Sequence, residues 1–176
     1  TRSALTCGAD LVFALPAPCA CAGAEAFARA GVALLAAAGC DGLVFGAETP
    51  DAALLMEAAE LLDSSSYRAA LKAQLAGGAR SFAAARQAAA AQLASDERVA
   101  ALLDKPNNNL AVEYCRAIRS LAPRMEAYPL PRQGANHGEA LHSAHGQFAS
   151  ASALRKLWAE GGADAVAPYV PEAVFP

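Results

Sequence analysis

The sequence lacks a hydrophobic run long enough to cross a membrane. The longest apolar stretches among its 176 residues, 26–40 and 83–93, each contain an arginine and fall short of the ~20 apolar residues that a span needs. No secretory leader is visible, because Asp10 and two prolines interrupt the apolar part of residues 1–20. We therefore expect a soluble, cytoplasmic protein with no membrane partner.

An excess of positive charge is also absent. Lysine and arginine total 14 against 17 aspartates and glutamates, which gives a net charge of −3 at pH 7. An extended nucleic-acid surface usually shows as a basic excess, so the composition argues against one. One local group of arginines does occur, and its simplest interpretation is a solvated helix face and loop: Arg116, Arg119, Arg124 and Arg132.

Metal-binding and catalytic motifs are missing as well. The five cysteines are odd in number, and the C-x-C at 19–21 has no second pair at zinc-site spacing, which predicts buried, reduced thiols. His137, His142 and His145 follow no recognised ligand spacing, so we predict no metal site in the chain. No P-loop, no G-x-G-x-x-G turn, no G-x-S-x-G elbow and no catalytic triad is recognisable.

The sequence does contain an alternation of apolar strands and amphipathic helices. Residues 9–16 are a short apolar run that predicts a buried strand, 23–39 place apolar residues on one helix face, and 41–48 predict a second buried strand. Thr49 and Pro50 then predict the cap and first turn of another helix. This order predicts an α/β fold class with a parallel sheet covered by helices.

The rest of the chain is mostly helical by pattern. Residues 51–103 predict helices broken by serines and glycines, and about 63–104 predict a peripheral helical insertion within a single domain, 1–176. The remaining predicted elements are a helix from Leu110 that ends at Pro123, a strand at 125–132, a loop at 133–147 and a helix at 148–161 closed by two glycines.

Three polar features follow a strand end or open a helix, which is where an α/β sheet binds its ligands. Gly46 ends the second strand, and its missing side chain would let a ligand approach the backbone. Three asparagines at 107–109 open a helix, whose free N–H groups favour anions. Ser150 and Ser152 open another helix with Arg155 one turn on, a combination that suits phosphate. Each feature alone is an ordinary turn or cap, but together they indicate a nucleotide site.

The blocks that carry these features occur in a characteristic order along the chain. They are GADLVFALP, AEAFARAGVALLAAAGCDGLVFGAE, KPNNNLAVEYCRAI, RQGANH, FASASALR and YVPE. The order resembles the tRNA(Met) cytidine acetate ligase family, which belongs to the nucleotidyltransferase-like, HIGH-signature superfamily of Rossmann-like folds. The resemblance covers nearly all of the chain, and it implies a Rossmann-like parallel sheet.

The resemblance also implies an activity and its reactants. Members of the family use ATP to convert acetate into acetyl-adenylate, and they then acetylate N4 of the wobble cytidine of elongator tRNA(Met). We therefore expect an ATP-dependent ligase with ATP, acetate and tRNA(Met) as its partners. Mg²⁺ is expected on the ATP phosphates, because hard cations bind oxygen ligands of this kind. The oligomeric state stays open.

The resemblance assigns the ATP contacts residue by residue. Gly46 is expected to lie beside ATP. Either Asn107 or Asn108 is expected to contact ATP. Of the three asparagines, we expect one to cap the helix and another to hold the nucleotide, with Asn109 idle.

The phosphate contacts and the remaining candidates also come from the resemblance. Ser150, Ser152 and Arg155 match the second signature of the superfamily, whose serines and arginine hold the phosphates, so Ser150 and Arg155 are the expected catalytic residues. Arg132 and His137 match an R-x-G-x-x-H block of the family and are candidate substrate contacts.

Two segments of the family pattern do not occur in residues 1–176. These are the H-x-G-H strand with its glycine-rich loop, and a C-terminal helical region. The resemblance therefore implies a partial nucleotidyltransferase-like domain that is inactive by itself. Two alternatives stay open. The acidic balance favours another nucleotidyltransferase of the superfamily that acts on a small substrate, and the missing signature favours a non-catalytic, degenerate nucleotide-binding domain.

Overall fold

The computed structural model describes residues 1–132 and 149–175. These residues form two compact units, one of residues 15–132 and a smaller one of residues 1–14 with 149–175. The helices and strands, in chain order, are α1 (Arg2–Thr6), α2 (Ala17–Ala20), α3 (Ala24–Ala37), β1 (Gly42–Ala47), α4 (Ala52–Asp63), α5 (Ser65–Ala76), α6 (Phe82–Leu93), α7 (Glu97–Leu102), α8 (Pro106–Leu121), β2 (Glu126–Pro131) and α9 (Ala151–Val166), followed by 3₁₀ turns at Ala167–Tyr169 and Glu172–Val174.

The larger unit is built around a parallel pair of strands. β1 and β2 pair in register from Gly42 opposite Glu126 to Ala47 opposite Pro131. Burial alternates along β1, because Leu43, Phe45 and Ala47 face the helices while the residues between them are exposed. The predicted strands at 41–48 and 125–132 and the predicted parallel pairing are therefore confirmed, although β1 is buried on one face only and not throughout.

α8 packs against β1, and two further helices pack against α8. α8 packs against both α3 and α4, and the side chains at their contacts are almost completely buried: Val32, Leu55, Val112 and Ile118. Truncation of such a side chain, for example Leu55→Ala, costs about 2–5 kcal/mol because it leaves a cavity. The predicted helices at 23–39 and from Leu110 are confirmed, although α8 begins at Pro106.

Short polar caps separate the helices between 51 and 103, where the sequence predicts nearly continuous helix. The side chains of Ser64, Ser81 and Asp96 each accept a hydrogen bond from a backbone N–H of the helix that follows. Each cap satisfies a donor that the first turn would otherwise leave without a partner. The predicted helical content of this region is confirmed, while its interpretation as an insertion stays a prediction.

The predicted strand at 9–16 is wrong. Residues 9–16 form no ladder with any strand that the structure describes, and the side chains of Leu11 and Phe13 are 73% and 47% exposed. An apolar run favours a strand only where a partner strand offers its N–H and C=O groups, and the described strands pair only with each other.

The predicted helix start at Thr49 and Pro50 is also wrong. Asp51 is the cap of α4, because its carboxylate accepts a hydrogen bond from the N–H of Leu54 at 3.1 Å. Thr49 is unavailable as a cap, since its N–H and hydroxyl both bond the side chain of Asn108.

The helix predicted at 148–161 is confirmed with one change. α9 begins at Ala151 and extends to Val166, but Gly162 has a φ of +74° that breaks the regular helix there. This left-handed conformation is one that glycine adopts at little cost, so the predicted stop is a kink. The loop predicted at 133–147 lies outside the described residues.

Only one of the five cysteines fits the prediction of buried thiols. Cys115 is buried in α8, and burial raises the pKa of its thiol to about 12. Cys7, Cys21 and Cys40 are exposed, so the prediction is wrong for them, because short apolar stretches at helix ends need not face the core. Within the described ranges, no helix is long and apolar enough to span a membrane.

Candidate functional site

The carboxyl end of β1 lies against the first turn of α8, and a carboxylate joins them. Glu48 follows β1, and its Oε2 accepts a hydrogen bond from the N–H of Asn108 at 2.7 Å. Its Oε1 accepts from the N–H of Asn107 at 3.2 Å and from Nδ2 of Asn107 at 2.6 Å. The positive end of the α8 dipole therefore holds an anion that the protein itself supplies.

The surroundings of Glu48 favour its ionised form. Burial by itself would raise the pKa of this carboxyl, but hydrogen bonds from the side chain and backbone of Asn107 and from the backbone of Asn108 outweigh it. The pKa of Glu48 is consequently lower than its ordinary value. At neutral pH the site therefore contains a fixed negative charge.

Asn108 performs a structural task at this site. Its side chain is buried, its Oδ1 accepts from the N–H of Thr49 at 2.9 Å, and its Nδ2 donates to Oγ1 of Thr49 at 3.1 Å. Both ends of the amide are therefore used to fasten the loop after β1 to α8. Asn107 is only half-buried, and no bond to its Oδ1 is seen among the described residues.

None of the three asparagines caps α8, so that expectation is wrong. Lys105 occupies the cap position without a side-chain bond, and Pro106 takes the first helical position. Asn109 is not idle either, because its Nδ2 donates to the carbonyl oxygens of Leu103 at 2.7 Å and Lys105 at 3.0 Å. It ties the start of α8 to the turn that precedes it.

Gly46 and Arg132 lie side by side at the carboxyl end of the strand pair. A Cβ on Gly46 would lie 3.6 Å from Cγ of Arg132, and the N–H of Arg132 donates to the carbonyl of Ala47 at 3.1 Å. Gly46 is exposed and has no positive φ, so neither burial nor backbone conformation requires a glycine there. Its missing side chain leaves room for about one methyl group between the backbone and Cγ of Arg132.

The serine cluster belongs to the smaller unit. Oγ of Ser150 caps α9 by accepting a hydrogen bond from the N–H of Ala153 at 3.2 Å, and it lies 3.2 Å from Oγ of Ser152. Arg155 is exposed in the first turns of the same helix. The two hydroxyls are thus together at a helix start, as the sequence predicts. His137 lies outside the described residues.

The sequence patterns missed Glu48 and Thr49 as members of this site. Both lie at a strand end, but their partners are 59 or 60 residues away in the chain, so local pattern gives no sign of the contact. The arrangement offers one fixed carboxylate, one amide oxygen and one guanidinium. Within residues 1–132 and 149–175, we find no group of three or more histidine, cysteine or carboxylate side chains that could hold a metal ion.

Comparisons with known proteins give matches over nearly the whole chain. The model of the HIGH Nucleotidyl Transferase family matches residues 1–176. A curated tRNA(Met) cytidine acetate ligase of Syntrophotalea carbinolica is 40% identical over 160 residues, which are 90% of this chain and 38% of that protein. The protein of the same name from Bacillus subtilis is 32% identical over 176 residues, which are 98% of this chain and 42% of that protein.

Crystal structures of Thermotoga maritima TmcAL are similar in fold. The apo form I matches with a TM-score of 0.87 at 32% identity and covers 98% of this chain and 42% of that one. The form II structure bound with alpha-thio ATP matches with a TM-score of 0.83 at 30% identity and covers 98% and 41%. The predicted Rossmann-like α/β fold class is therefore confirmed. The chain spans about two fifths of the length of these proteins.

Proposed function

We propose, from the premise that this chain belongs to the HIGH Nucleotidyl Transferase family, that it is part of an ATP-dependent acetate ligase. The enzyme would form acetyl-adenylate from acetate and ATP, and would then acetylate N4 of the wobble cytidine of elongator tRNA(Met). The relatives that carry the name tRNA(Met) cytidine acetate ligase support this choice of substrates.

One observation of the structure supports the ATP site more than any other. Gly46, Asn107 and Arg132 come from three separate sequence blocks. The pairing of β1 with β2 and the hydrogen bonds from α8 to Glu48 bring them to one end of the sheet. This is the end at which open α/β sheets bind nucleotides. We assign Gly46 to close approach of ATP and Asn107, with its open Oδ1, to its base or ribose.

The first chemical step needs positioning and charge neutralisation more than a protein nucleophile. A carboxylate oxygen of acetate attacks the α-phosphorus of ATP, an O–P bond forms, and the bond to the pyrophosphate oxygen breaks. Pyrophosphate leaves with the bonding electrons, and acetyl-adenylate remains. Arg132 has no carboxylate partner within 4 Å among the described residues, so its charge is available for the substrate anions.

Ser150, Ser152 and Arg155 are the proposed phosphate contacts. Ser150 and Ser152 present adjacent hydroxyls at the start of α9, and Arg155 adds a guanidinium that could neutralise the leaving pyrophosphate. Mg²⁺ would be bound by phosphate oxygens and water, because the carboxylate of Glu48 is already used by α8. In the second step N4 of cytidine attacks the acetyl carbonyl, AMP leaves, and N4 loses a proton.

An exchange experiment tests the first step. The protein expressed from its complete reading frame is incubated with ATP, labelled pyrophosphate and acetate, and label entering ATP is measured. The proposal predicts exchange that requires acetate. Exchange that ignores acetate but responds to another small acid would favour the alternative of a different nucleotidyltransferase, which the net charge of −3 also favours. Absence of exchange with any small acid would favour a non-catalytic domain.

A further inference from the structure

An open cleft of about 550 Å³ lies in the larger unit, between α3, α4, α5, α6 and α8. This volume suits a ligand the size of a nucleotide. The charged side chains of its lining are four arginines and two glutamates, and the remainder is largely apolar or aromatic. The cleft contains none of the residues assigned above to ATP or its phosphates.

Two of the arginines are structural. Glu113 is only 2% exposed, and its carboxylate accepts a hydrogen bond from each arginine. The distances are 2.5 Å from Nη2 of Arg86 to Oε1 and 2.7 Å from Nη1 of Arg116 to Oε2. Arg116 also bonds Oδ1 of Asp63 at 2.8 Å through its Nε. Buried ion pairs of this kind fix the positions of their side chains, and their opposite charges largely neutralise one another. These three side chains are therefore a fixed part of the lining of the cleft.

Among the residues that the structure describes, the other two arginines have no acidic partner. Nη1 of Arg29 donates to Oγ of Ser120 at 3.1 Å, and Nη1 of Arg68 donates to the backbone carbonyl of Asp63 at 2.9 Å. Both side chains are exposed, and within the described residues no carboxylate lies within 4 Å of either guanidinium. These neutral acceptors orient two positive charges without cancelling them, so the cleft can receive an anion.

An aromatic ring completes the cleft. Phe82, the first residue of α6, is 60% exposed, although burial of a phenylalanine is strongly favourable. Phe82 thus lines the same cleft as Arg29 and Arg68. Aromatic rings and guanidinium groups are the combination by which proteins bind single-stranded nucleic acid, with bases stacked on the ring and phosphates on the arginines.

We propose that this cleft binds a single-stranded segment of the tRNA substrate, with Phe82 stacked on a base and Arg29 and Arg68 on phosphates. The inference rests on the proposed function for the identity of the RNA, and it adds a contact surface apart from the ATP site. Residues 63–104, predicted above as an insertion, supply both Arg68 and Phe82. The insertion would then serve to hold the tRNA.

Direct binding of a tRNA(Met) transcript tests the proposal. The protein from its complete reading frame and its variants Arg29→Gln, Arg68→Gln and Phe82→Ala are titrated by fluorescence anisotropy at several salt concentrations. Lys72→Gln and Leu75→Ala are matched controls, because both residues are exposed on α5 and neither lines the cleft. Acetate-dependent pyrophosphate exchange is measured on every variant as a check on folding and on the ATP site.

Each arginine variant should weaken tRNA binding several-fold and reduce the slope of log K against log salt by about 0.7–0.9. Phe82→Ala should weaken binding roughly five-fold or more without a change of slope. The controls and pyrophosphate exchange should stay unchanged. Unaltered tRNA binding by the three cleft variants would overturn the proposal. If the cleft variants weakened tRNA binding but the unmodified protein showed no exchange, the proposed ligase reaction would fail while the cleft proposal stood.

Discussion

Glu48 and Asn107 are joined by two hydrogen bonds to one carboxylate oxygen, 3.2 Å from the backbone nitrogen of Asn107 and 2.6 Å from its Nδ2. The contact fixes the direction of the Asn107 amide, because Nδ2 must face Glu48 and Oδ1 is turned to another side. The helix start at α8, which the sequence suggests as an anion site, is therefore occupied by the carboxylate of Glu48. The same hydrogen bonds position Asn107, which we assign to ATP.

Replacement of Glu48 by glutamine should weaken both the fold and the ATP site. Glu48→Gln removes the charge at the start of α8 and should lower the free energy of unfolding by about 1–2 kcal/mol. Chemical denaturation measures this loss, and calorimetry measures the accompanying loss of ATP affinity. Glu97→Gln is the control, since Glu97 is an exposed first-turn residue of α7, and it should change stability by less than about 0.5 kcal/mol.

The same contact predicts a dependence of stability on pH. The pKa of Glu48 is lowered in the folded state, so its stabilising effect is fully present above the ordinary pKa of 4.5 and is lost as the pH falls through the lower, folded-state value. The difference in unfolding free energy between the unmodified protein and Glu48→Gln should be constant above about pH 6 and shrink below about pH 4.5. If this difference in unfolding free energy grew on acidification, the result would contradict an ionised Glu48 bonded to the start of α8.

Asn107 and Asn108 should respond differently to alanine. Asn108→Ala leaves the N–H of Thr49 without its buried acceptor and should cost about 2–3 kcal/mol of stability. Asn107→Ala should cost only about 1 kcal/mol of stability but lower ATP affinity at least five-fold, which is about 1 kcal/mol of binding. Urea denaturation and calorimetry on the two variants separate the roles. The reverse pattern would assign ATP to Asn108.

Gly46→Ala should separate ligand approach from folding. The added methyl group would meet Cγ of Arg132 at an ordinary contact distance, and the backbone of Gly46 needs no special conformation. We expect a change in stability within about 1 kcal/mol and a loss of ATP affinity of about ten-fold or more. Gly31→Ala in α3 is the control, because its methyl group also has room and lies in another element. Unchanged ATP binding by Gly46→Ala would remove Gly46 from the site.

Arg155→Ala should affect ATP binding and spare the fold. Arg155 is exposed, so its removal should barely change the melting temperature. If its guanidinium holds phosphates, ATP affinity or turnover should drop by about 1.5–3 kcal/mol, the scale of a charged hydrogen bond. Calorimetry and a thermal melt on the same sample decide the matter, and a large loss of stability with intact ATP binding would make Arg155 structural.

The sequence predicts those elements of this fold whose evidence is local. A strand forms within 41–48 as predicted, although only one of its faces is buried, and helices end before Ser64 and before Gly77, where the pattern breaks. Residues 9–16 could not be predicted in the same way. A strand depends on the hydrogen-bonding edge of another segment, and an apolar run contains no information on whether such an edge lies beside it.

The candidate site shows the same limit. Gly46 and the asparagines at 107–109 could be selected from a strand end and a helix start, where ligands are known to bind, whereas Arg132 is selected through the family resemblance. The part played by Glu48 could not, because it depends on a contact between positions 59 and 60 residues apart. The third asparagine, Asn109, is explained only by carbonyl oxygens of the preceding turn, whose direction the sequence does not reveal.

Acetylation of tRNA by the protein from its complete reading frame tests the central claim most directly. The protein is incubated with ATP, acetate and elongator tRNA(Met), and the nuclease-digested tRNA is examined by mass spectrometry. The account predicts N4-acetylcytidine at the wobble position, formed only when ATP and acetate are both present. The absence of N4-acetylcytidine with folded, ATP-binding protein would contradict it.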